Sequence, residues 1–299
     1  MSPQADKMTT AAIRHDLIRG LKTAWLEAGP VDAPILVFLH GFPDTADCWD
    51  RQIEEFSKEY KVLAPFVRGA AGSEPGVGLD RYAPDAVALD VLEILQKLDP
   101  QQRRKVFCIG HDLGAVHAWH LAGLLQDRAG GVAIINGLTI RQILTRWKQP
   151  RQLARSWYIH LMQVPVIPEM LVRVAPSRLR SFAYDLGGLP ERERPDSSGS
   201  HAVDRGAMLK PLNQYRAFLR AVPRLFSRRR QRLNCPVLAL FGENDPFLTP
   251  PSFDELSADA RHLTVRIIPG HHWLHRDQAP RVNALLGRFF VTSLGKSRS

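Results

Sequence analysis

A stretch of five residues constrains the fold more strongly than any other part of this chain. It reads Gly110-His111-Asp112-Leu113-Gly114 and directly follows the short apolar run Val106–Ile109. An apolar run of this length is typical of a buried strand, and the pattern Leu113–Gln126 that comes next is typical of a helix. Because glycines flank the junction, the sequence predicts a strand, a sharp turn and a helix in immediate succession.

The same alternation of apolar runs and helical patterns extends along most of the 299 residues. After one or two opening strands within Leu17–Gly29, further strands are predicted at Pro34–Leu39, Val62–Val67, Val106–Ile109, Val132–Ile135, Val237–Phe241 and Leu263–Ile268. Helices are predicted at Cys48–Lys58, Pro84–Leu98, Leu113–Gln126 and Gln278–Phe290. Continuous apolar runs are expected for strands covered on both faces. We therefore predict an α/β fold, with a mostly parallel sheet wrapped by helices.

One long segment interrupts this alternation. From about Gly137 to Leu233 the sequence is rich in arginine, proline and helical patterns, and it contains no convincing strand. We predict that residues 1–136 and 234–299 form the α/β core and that residues 137–233 form a helical cap inserted between two strands. Open α/β sheets bind ligands at the carboxyl ends of their strands, so the cap is expected to cover a site there.

The formal net charge of +10 raises the question of a nucleic-acid partner. The basic residues are spread along the chain, and the densest cluster, Arg228–Arg230, has no interleaved aromatic residues. No helix-turn-helix, zinc-finger or RNP pattern is present. We therefore predict no nucleic-acid partner and interpret the charge as a feature of a soluble surface.

The cysteines and the hydropathy pattern indicate the compartment. Cys48, Cys108 and Cys235 show neither paired spacing nor the spacing of metal ligands, which favours a reducing environment. The segment Met1–Thr10 is polar, and no run approaches the roughly 18 apolar residues that a membrane helix needs. We predict a cytoplasmic protein without a membrane span, while its oligomeric state stays open.

The central residue of the turn indicates its chemistry. A turn between two glycines, after a strand and before a helix, is the layout of a nucleophile elbow, where serine usually stands and this chain has Asp112. A carboxylate is poorly suited to attack acyl carbonyls, but its attack on a saturated carbon gives an ester that water can cleave. The following helix N-terminus favours the ionised carboxylate. An aspartate before a helix is also a common N-cap, so partner residues must support this interpretation.

Three further motifs each follow a predicted strand. They read His40-Gly41-Phe42-Pro43, Phe241-Gly242-Glu243-Asn244-Asp245-Pro246 and Gly270-His271-His272-Trp273. With the aspartate turn, they resemble the α/β-hydrolases of the epoxide hydrolase and haloalkane dehalogenase branch, and most closely the epoxide hydrolases, over nearly the whole chain. The resemblance implies a catalytic triad and a mechanism that needs no metal or organic cofactor.

The resemblance implies that Asp112 is the nucleophile and that His272 is the general base, since an imidazole accepts a proton near neutral pH. Two adjacent histidines leave this choice open, but the family motif Gly-His-Trp matches His272 with Trp273 and gives His271 a structural role. His40 and His111 also match motif positions where histidine is structural.

The resemblance places the orienting acid at Asp245, where it would hold the imidazole tautomer. Glu243 is a local competitor. Some dehalogenases take this acid from the end of the preceding strand, where this chain has Asn136, which cannot serve as an anion. The backbone amides of Phe42 and Leu113 are expected to stabilise the oxyanion that forms when water attacks the ester.

Two tyrosines of the predicted cap distinguish between the chemistries of the branch. Tyr158 in Ser156–Pro165 and Tyr215 in Pro211–Arg216 match segments that carry the lid tyrosines of epoxide hydrolases. Their hydroxyls would donate to the epoxide oxygen as the ring opens. Haloalkane dehalogenases typically carry tryptophan at the position of Leu113, and many epoxide hydrolases do too, so this pocket is expected to have a different shape.

We therefore expect an epoxide hydrolase that converts a small apolar epoxide and water into a vicinal diol. The expected pocket walls are Phe42, Trp49, Leu113, Met162 and Trp273. Two alternatives stay open. The first is a haloalkane-type dehalogenase with the same triad, and the second is an idle hydrolase fold that acts as a ligand-binding protein.

Overall fold

The computed structural model describes residues 11–70, 72–195, 212–227 and 232–296. The strands in this part of the chain are β1 (Ala12–Ile18), β2 (Leu21–Ala28), β3 (Ile35–Leu39), β4 (Lys61–Pro65), β5 (Val106–His111), β6 (Ala129–Ile135), β7 (Leu233–Gly242) and β8 (Ala260–Ile268). They form one sheet in the order β1-β2-β4-β3-β5-β6-β7-β8. β2 pairs antiparallel with β1 and with β4, and the other pairs are parallel. The predicted α/β fold is confirmed.

The helices of the described residues lie between and around these strands. They are α1 (Asp50–Phe56), α2 (Pro84–Leu98), α3 (Leu113–Leu125), α4 (Ile140–Arg146), α5 (Pro150–Arg155), α6 (Trp157–Leu161), α7 (Ile167–Val174), α8 (Pro176–Leu186), α9 (Leu212–Ser227), α10 (Phe253–Ser257), α11 (Leu274–Asp277) and α12 (Ala279–Lys296). Short 3-10 turns occur at Ala46–Trp49, Leu79–Tyr82, Gln126–Arg128 and Glu191–Glu193. The helix predicted at Cys48–Lys58 is therefore divided into a 3-10 turn and α1.

Side chains alternate between two apolar layers along the central strands. In β5, Phe107 and Ile109 pack into the layer that contains Phe290 of α12, whereas Val106 and Cys108 pack into the layer formed with α2 and α3. Successive side chains of a strand point to opposite faces, so a continuous apolar run fills both layers. Strand β8 differs, because it lies at the edge of the sheet and most of its side chains are exposed. The expectation that this strand is covered on both faces is therefore wrong.

The register of the parallel strands aligns their carboxyl ends. Leu39 of β3 pairs with Gly110 of β5, and Ile135 of β6 pairs with both His111 of β5 and Leu240 of β7. The loops that follow these strands consequently leave the sheet at the same edge. This edge is where open α/β sheets bind ligands.

We call the segment between β6 and β7 the inserted segment, and it is helical wherever the structure describes it. It contributes α4 to α9 and the 3-10 turn Glu191–Glu193, with no strand among its described residues. The Arg228–Arg230 cluster and the polar segment Met1–Thr10 lie outside the described residues. Within the described part of the chain, no helix combines the length and the apolar character needed to cross a membrane.

Candidate active site

Asp112 lies on the sharp turn between β5 and α3. Its backbone angles are φ 52° and ψ −123°, which a residue with a side chain rarely adopts. Two glycines allow the surrounding chain to approach. A Cβ atom on Gly114 would lie 2.0 Å from the carbonyl oxygen of Leu39, and a Cβ on Gly41 would lie 2.5 Å from Oδ2 of Asp112. The turn therefore depends on glycine at both positions.

Backbone amides hold the Asp112 carboxylate on one side. The amide of Phe42 donates a hydrogen bond of 3.2 Å to Oδ2, and the nearby amide of Leu113 also favours the charged carboxylate. Burial raises the pKa of Asp112 to about 6, although the charge of His272 and the two amides oppose this shift. The carboxylate is therefore mostly ionised at neutral pH, as the helix N-terminus suggested. The pKa is nevertheless higher than a helix N-terminus alone would give, because the side chain is fully buried.

His272 and Asp245 form a buried hydrogen-bonded pair. Nδ1 of His272 lies 2.8 Å from Oδ2 of Asp245. The other oxygen, Oδ1, accepts bonds from the amides of Phe247 at 2.7 Å and Leu248 at 3.0 Å, which fix the carboxylate. Burial disfavours the charged imidazole, but the charge and hydrogen bond of Asp245 outweigh it, so the pKa of His272 is raised. A carboxylate on Nδ1 leaves Nε2 as the proton acceptor.

The other two histidines of these motifs, His271 and His111, lie in different surroundings from His272. His271 is half exposed and its Nδ1 lies 3.3 Å from Oδ2 of Asp277, away from Asp245. His111 is buried, and its Nε2 lies 2.9 Å from the carbonyl oxygen of His272, to which a neutral imidazole can donate. Burial holds the pKa of His111 well below its ordinary value, so this ring is a neutral support.

Asn136 braces the histidine loop, a role that the sequence did not indicate. It follows β6 directly and has φ 41°. Its Nδ2 donates hydrogen bonds of 2.7 Å to the carbonyl oxygens of both His271 and His272, and its Oδ1 accepts one of 2.8 Å from the amide of Gly242. All three polar groups of this buried amide are therefore used to join β7 to the loop that carries His272.

A cavity of about 340 Å³ opens between the sheet edge and the helices of the inserted segment. Asp112 and His272 lie in its wall, and the other lining residues are Phe42, Pro43, Trp157, Tyr158, Leu161, Met162, Pro168, Leu171, Leu179, Phe182, Ala183, Leu186, Leu212, Tyr215, Phe247 and Trp273. A smaller cavity of about 40 Å³ shares Asp112, Tyr158 and Tyr215, and Leu113 lines this one. The carboxylate thus lies between two apolar compartments of unequal size.

Trp49 lines neither cavity, and its assignment as a pocket wall is corrected. Its indole is fully buried, with ring centroids 4.4 Å from His275 and 5.1 Å from Phe38. The 3-10 turn Ala46–Trp49 carries it into the apolar layer on the α12 side of the sheet. Phe42, Met162 and Trp273, the other expected walls of the main cavity, do line it.

Tyr158 and Tyr215 face Asp112 from the inserted segment. Their ring centroids lie 6.0 Å apart with the ring planes at 90°, and both rings line both cavities. Burial, and then the charge of Asp112, raises the pKa of each hydroxyl well above its ordinary value, so both stay protonated. Within the described ranges neither hydroxyl has a hydrogen-bond partner. The site therefore presents two proton donors opposite a carboxylate.

Two residues with contacts in this site, Asp44 and Phe247, were not proposed from the sequence. Asp44 accepts a hydrogen bond of 2.8 Å from the hydroxyl of Tyr184 in α8 and one of 2.7 Å from Nε1 of Trp273. It thereby joins α8 to the loop after β3 and to Trp273, which follows His272. Phe247 packs against both His272 and Tyr158, at centroid distances of 4.8 and 5.2 Å. Asp44 directly follows the His40–Pro43 motif, and this position next to the motif is the feature of the sequence that could have pointed to it.

One buried group among the described residues has the geometry of metal ligands. Ligand atoms of Asp44, Cys48 and His275 lie within 4.8 Å of one another. Both oxygens of Asp44 already accept hydrogen bonds from Tyr184 and Trp273. Burial raises the pKa of the Cys48 thiol well above its ordinary value, which disfavours the thiolate that a metal requires. The residues present do not fit a metal ion well.

Comparison with known proteins agrees with this geometry. The family model described as alpha/beta hydrolase fold matches residues 34–279. The chain belongs to the α/β-hydrolase fold family. Epoxide hydrolase 4 of Mus musculus is 27% identical over 283 residues, which cover 90% of this chain and 76% of the mouse protein. Epoxide hydrolase A of Mycobacterium tuberculosis is 27% identical over 312 residues, which cover 91% of this chain and 95% of that protein.

A solved structure supports the same fold. The crystal structure of the Bacillus megaterium epoxide hydrolase matches this α/β hydrolase with a TM-score of 0.78, covering 92% of this chain and 99% of that chain at 23% identity. At this identity the match shows the fold alone. The family model and the curated relatives confirm the resemblance to the epoxide hydrolases that the motifs indicated.

Proposed function

We propose that this α/β hydrolase is an epoxide hydrolase, a hydrolase of ether bonds that acts through a covalent ester on Asp112. One observation carries the proposal: an ionisable carboxylate and two protonated tyrosine hydroxyls face each other across an apolar cavity. A carboxylate suits attack on a ring carbon, and the hydroxyls of Tyr158 and Tyr215 suit the oxygen that leaves it. The names of the relatives support the same activity.

In the first step the carboxylate opens the ring. The amide of Phe42 holds Oδ2 of the Asp112 carboxylate, and Oδ1 acts as the attacking oxygen. A bond forms between Oδ1 and a ring carbon while the bond from that carbon to the ring oxygen breaks. The oxygen takes a proton from Tyr158 or Tyr215, and a hydroxyalkyl ester of Asp112 results.

In the second step water cleaves the ester. His272, oriented by Asp245, takes a proton from water, and the hydroxide adds to the ester carbonyl. The amides of Phe42 and Leu113 stabilise the oxyanion. As the tetrahedral intermediate collapses, the leaving alkoxide takes the proton back from His272. The carboxylic acid of Asp112 that forms then gives its proton to the tyrosinate left by the first step. A vicinal diol leaves.

Ester formation prepares His272 for this second step. The charge of Asp112 contributes to the raised pKa of His272, and the ester carries no charge. The pKa of the imidazole therefore falls when the ester forms, and the neutral base becomes more abundant. Neither step requires a metal or an organic cofactor.

The proposal assigns roles to the two parts of the chain. Residues 1–136 and 234–299 act as the catalytic core, and residues 137–233 act as a cap that supplies Tyr158 and Tyr215. Of the side chains that line the larger cavity, only Asp112, His272 and the two tyrosines carry hydrogen-bonding groups suited to the reaction, and the rest are mainly apolar. We therefore propose an uncharged apolar epoxide as the substrate. The cytoplasmic location stays a prediction.

The decisive experiment is intact mass spectrometry of the His272→Gln variant after exposure to a panel of epoxides and alkyl halides. Without the base, the ester is expected to form and persist, with a mass gain equal to one whole epoxide. The gain should disappear in the Asp112→Ala, His272→Gln double variant. A gain equal to an alkyl group without its halogen would instead assign a dehalogenase. The absence of any adduct would favour a ligand-binding protein.

A further inference from the structure

Helix α7 exposes a stripe of apolar side chains on the outer side of the inserted segment. Four residues at helical spacing form the stripe, with exposed fractions between 47% and 81%: Ile167, Met170, Leu171 and Val174. The opposite positions Pro168 and Val172 are buried against the rest of the segment. A surface helix usually presents polar residues on its exposed face, so this second apolar face calls for a partner.

The loop that leads into α7 extends this surface. Val164 and Val166 are exposed, at 38% and 61%, and Pro165 between them is exposed as well. Val166 has φ 74°, a left-handed backbone conformation that is unfavourable for a β-branched residue. The backbone thus adopts a strained conformation in an apolar loop that faces outward. We call residues 164–167 together with Met170 and Val174 the cap crest.

The cap crest adjoins the opening of the larger cavity. Trp157, Leu171, Phe182 and Leu186 line that cavity, yet between 40% and 55% of each residue is exposed. The apolar interior and the apolar outer surface therefore meet at these four residues.

The polar residues around the crest leave it with positive charge. Glu169 is paired with Arg216, and Asp185 is paired with Arg194. Arg173 lies one helical turn from Met170, and Arg178 lies one turn from Phe182; both arginines are exposed. Within the described ranges neither of them has a carboxylate partner. The whole chain carries a net charge of +10, which adds to the same field.

We propose that the cap crest docks on an anionic lipid bilayer. Its apolar side chains would enter the boundary between headgroups and acyl chains, while Arg173 and Arg178 contact lipid phosphates. A second copy of the chain fits this surface less well. In a two-fold symmetric contact the same arginines of both copies would lie close together without acidic partners. Docking would place the opening of the cavity against the bilayer, where apolar molecules concentrate.

The test is co-sedimentation of the full chain with vesicles of equimolar phosphatidylglycerol and phosphatidylcholine. We expect the wild-type protein to bind, and the Ile167→Glu, Met170→Glu variant to lose affinity by at least about tenfold, since charges do not enter the apolar boundary. The matched control is Val77→Glu, Val291→Glu, which places the same charges on exposed valines outside the crest. This control should bind about as well as the wild type.

The electrostatic part is tested by Arg173→Glu, Arg178→Glu. Because basic residues are attracted to an anionic surface and this variant reverses two charges, it should bind at least about tenfold more weakly. Arg281→Glu, Arg288→Glu makes the same change of charge on α12, where both arginines are exposed. A much smaller effect is expected there. Vesicles of phosphatidylcholine alone should bind the wild-type protein weakly.

Three results would overturn the proposal. The first would be that the wild-type protein does not sediment with the anionic vesicles. The second would be that the Ile167→Glu, Met170→Glu variant binds these vesicles as well as the wild type. The third would be a dimer, detected by light scattering without lipid, that dissociates in the same variant. Vesicle binding needs no substrate, and neither Ile167 nor Met170 lines the cavity, so turnover of a water-soluble epoxide should stay unchanged in this variant. Failure of docking and failure of the proposed activity are therefore distinguishable.

Discussion

The side-chain amide of Asn136 donates a hydrogen bond of 2.7 Å to the backbone carbonyl of His272. These residues are far apart along the chain, and the bond joins the end of β6 to the loop that carries the proposed base. A second bond to the carbonyl of His271 and one from the amide of Gly242 complete the contacts of Asn136. The position of His272 therefore depends on a residue that does not take part in the proposed reaction.

Replacement of Asn136 by alanine is expected to lower the free energy of unfolding by about 3 kcal/mol, since three buried backbone groups lose their partner. Urea denaturation measures this change. Asn234→Ala removes the same side chain at an exposed position, where we expect a change below about 0.5 kcal/mol. Equal losses in the two variants would contradict the bracing role.

Asp112→Asn is expected to stabilise the protein at high pH. The pKa of Asp112 is raised from 3.8 to about 6 by burial, so its ionisation opposes folding above pH 6 by about 3 kcal/mol. The neutral amide avoids this cost. As pH falls from 6 towards 4, the folded carboxyl protonates while the unfolded one is still ionised, so the advantage of the variant should disappear.

Thermal unfolding at about pH 8 and about pH 4.5 tests this pH dependence, which follows from the linkage of ionisation and folding. Asp32→Asn serves as the control, because Asp32 is exposed. The difference in Tm between Asp112→Asn and the wild type should be larger at the higher pH. A difference that is independent of pH would show that burial does not raise the pKa as described.

Removal of the Tyr158 or Tyr215 hydroxyl is expected to slow ester formation. Each Tyr→Phe change should lower the rate constant of the first step on the order of 10²-fold, because a preorganised donor to the leaving oxygen is lost. Single-turnover experiments in the His272→Gln background, followed by intact mass, measure this rate. Tyr60→Phe, in the core against Phe56 and Phe290, should leave it unchanged. A dehalogenase would be indifferent to either cap change.

Leu113→Trp tests the smaller cavity. Leu113 lines this space of about 40 Å³ beside Asp112, and a tryptophan side chain would fill it. We expect kcat/KM for epoxides substituted on both ring carbons to fall by at least about tenfold relative to that for terminal epoxides. Leu113→Met, which nearly conserves the volume, should keep the ratio. If tryptophan left the ratio unchanged, the smaller cavity would not receive substrate.

Local patterns predicted most of the core because burial leaves a periodic mark on the sequence. The helix predicted at Pro84–Leu98 matches α2 in both ends, and the run Val106–Ile109 lies within β5. The same logic failed for β8, whose apolar residues indicated cover on both faces. Only the order of strands shows that this strand lies at the edge.

In the candidate site, too, some features were predicted from the sequence and others were not. Asp112, Asp245 and His272 were proposed from motifs that each follow a strand, and the structure brings Asp245 and His272 into contact. The choice of His272 over His271 followed from the match of Trp273 to the family motif. The contacts of Asp44 and the burial of Trp49 did not follow from spacing. Each depends on which neighbour the side chain meets in three dimensions.

The sequence by itself determined the alternation of strands and helices, the glycine-flanked turn at Asp112 and the residue types available for catalysis, because these are local properties of the chain. Tertiary structure alone decided that Tyr158 and Tyr215 face Asp112, that Asn136 supports His272 and that the cap crest is exposed. These features depend on strand order and on helix packing between distant segments. Hydrophobic periodicity records whether a side chain is buried, but not which residue covers it.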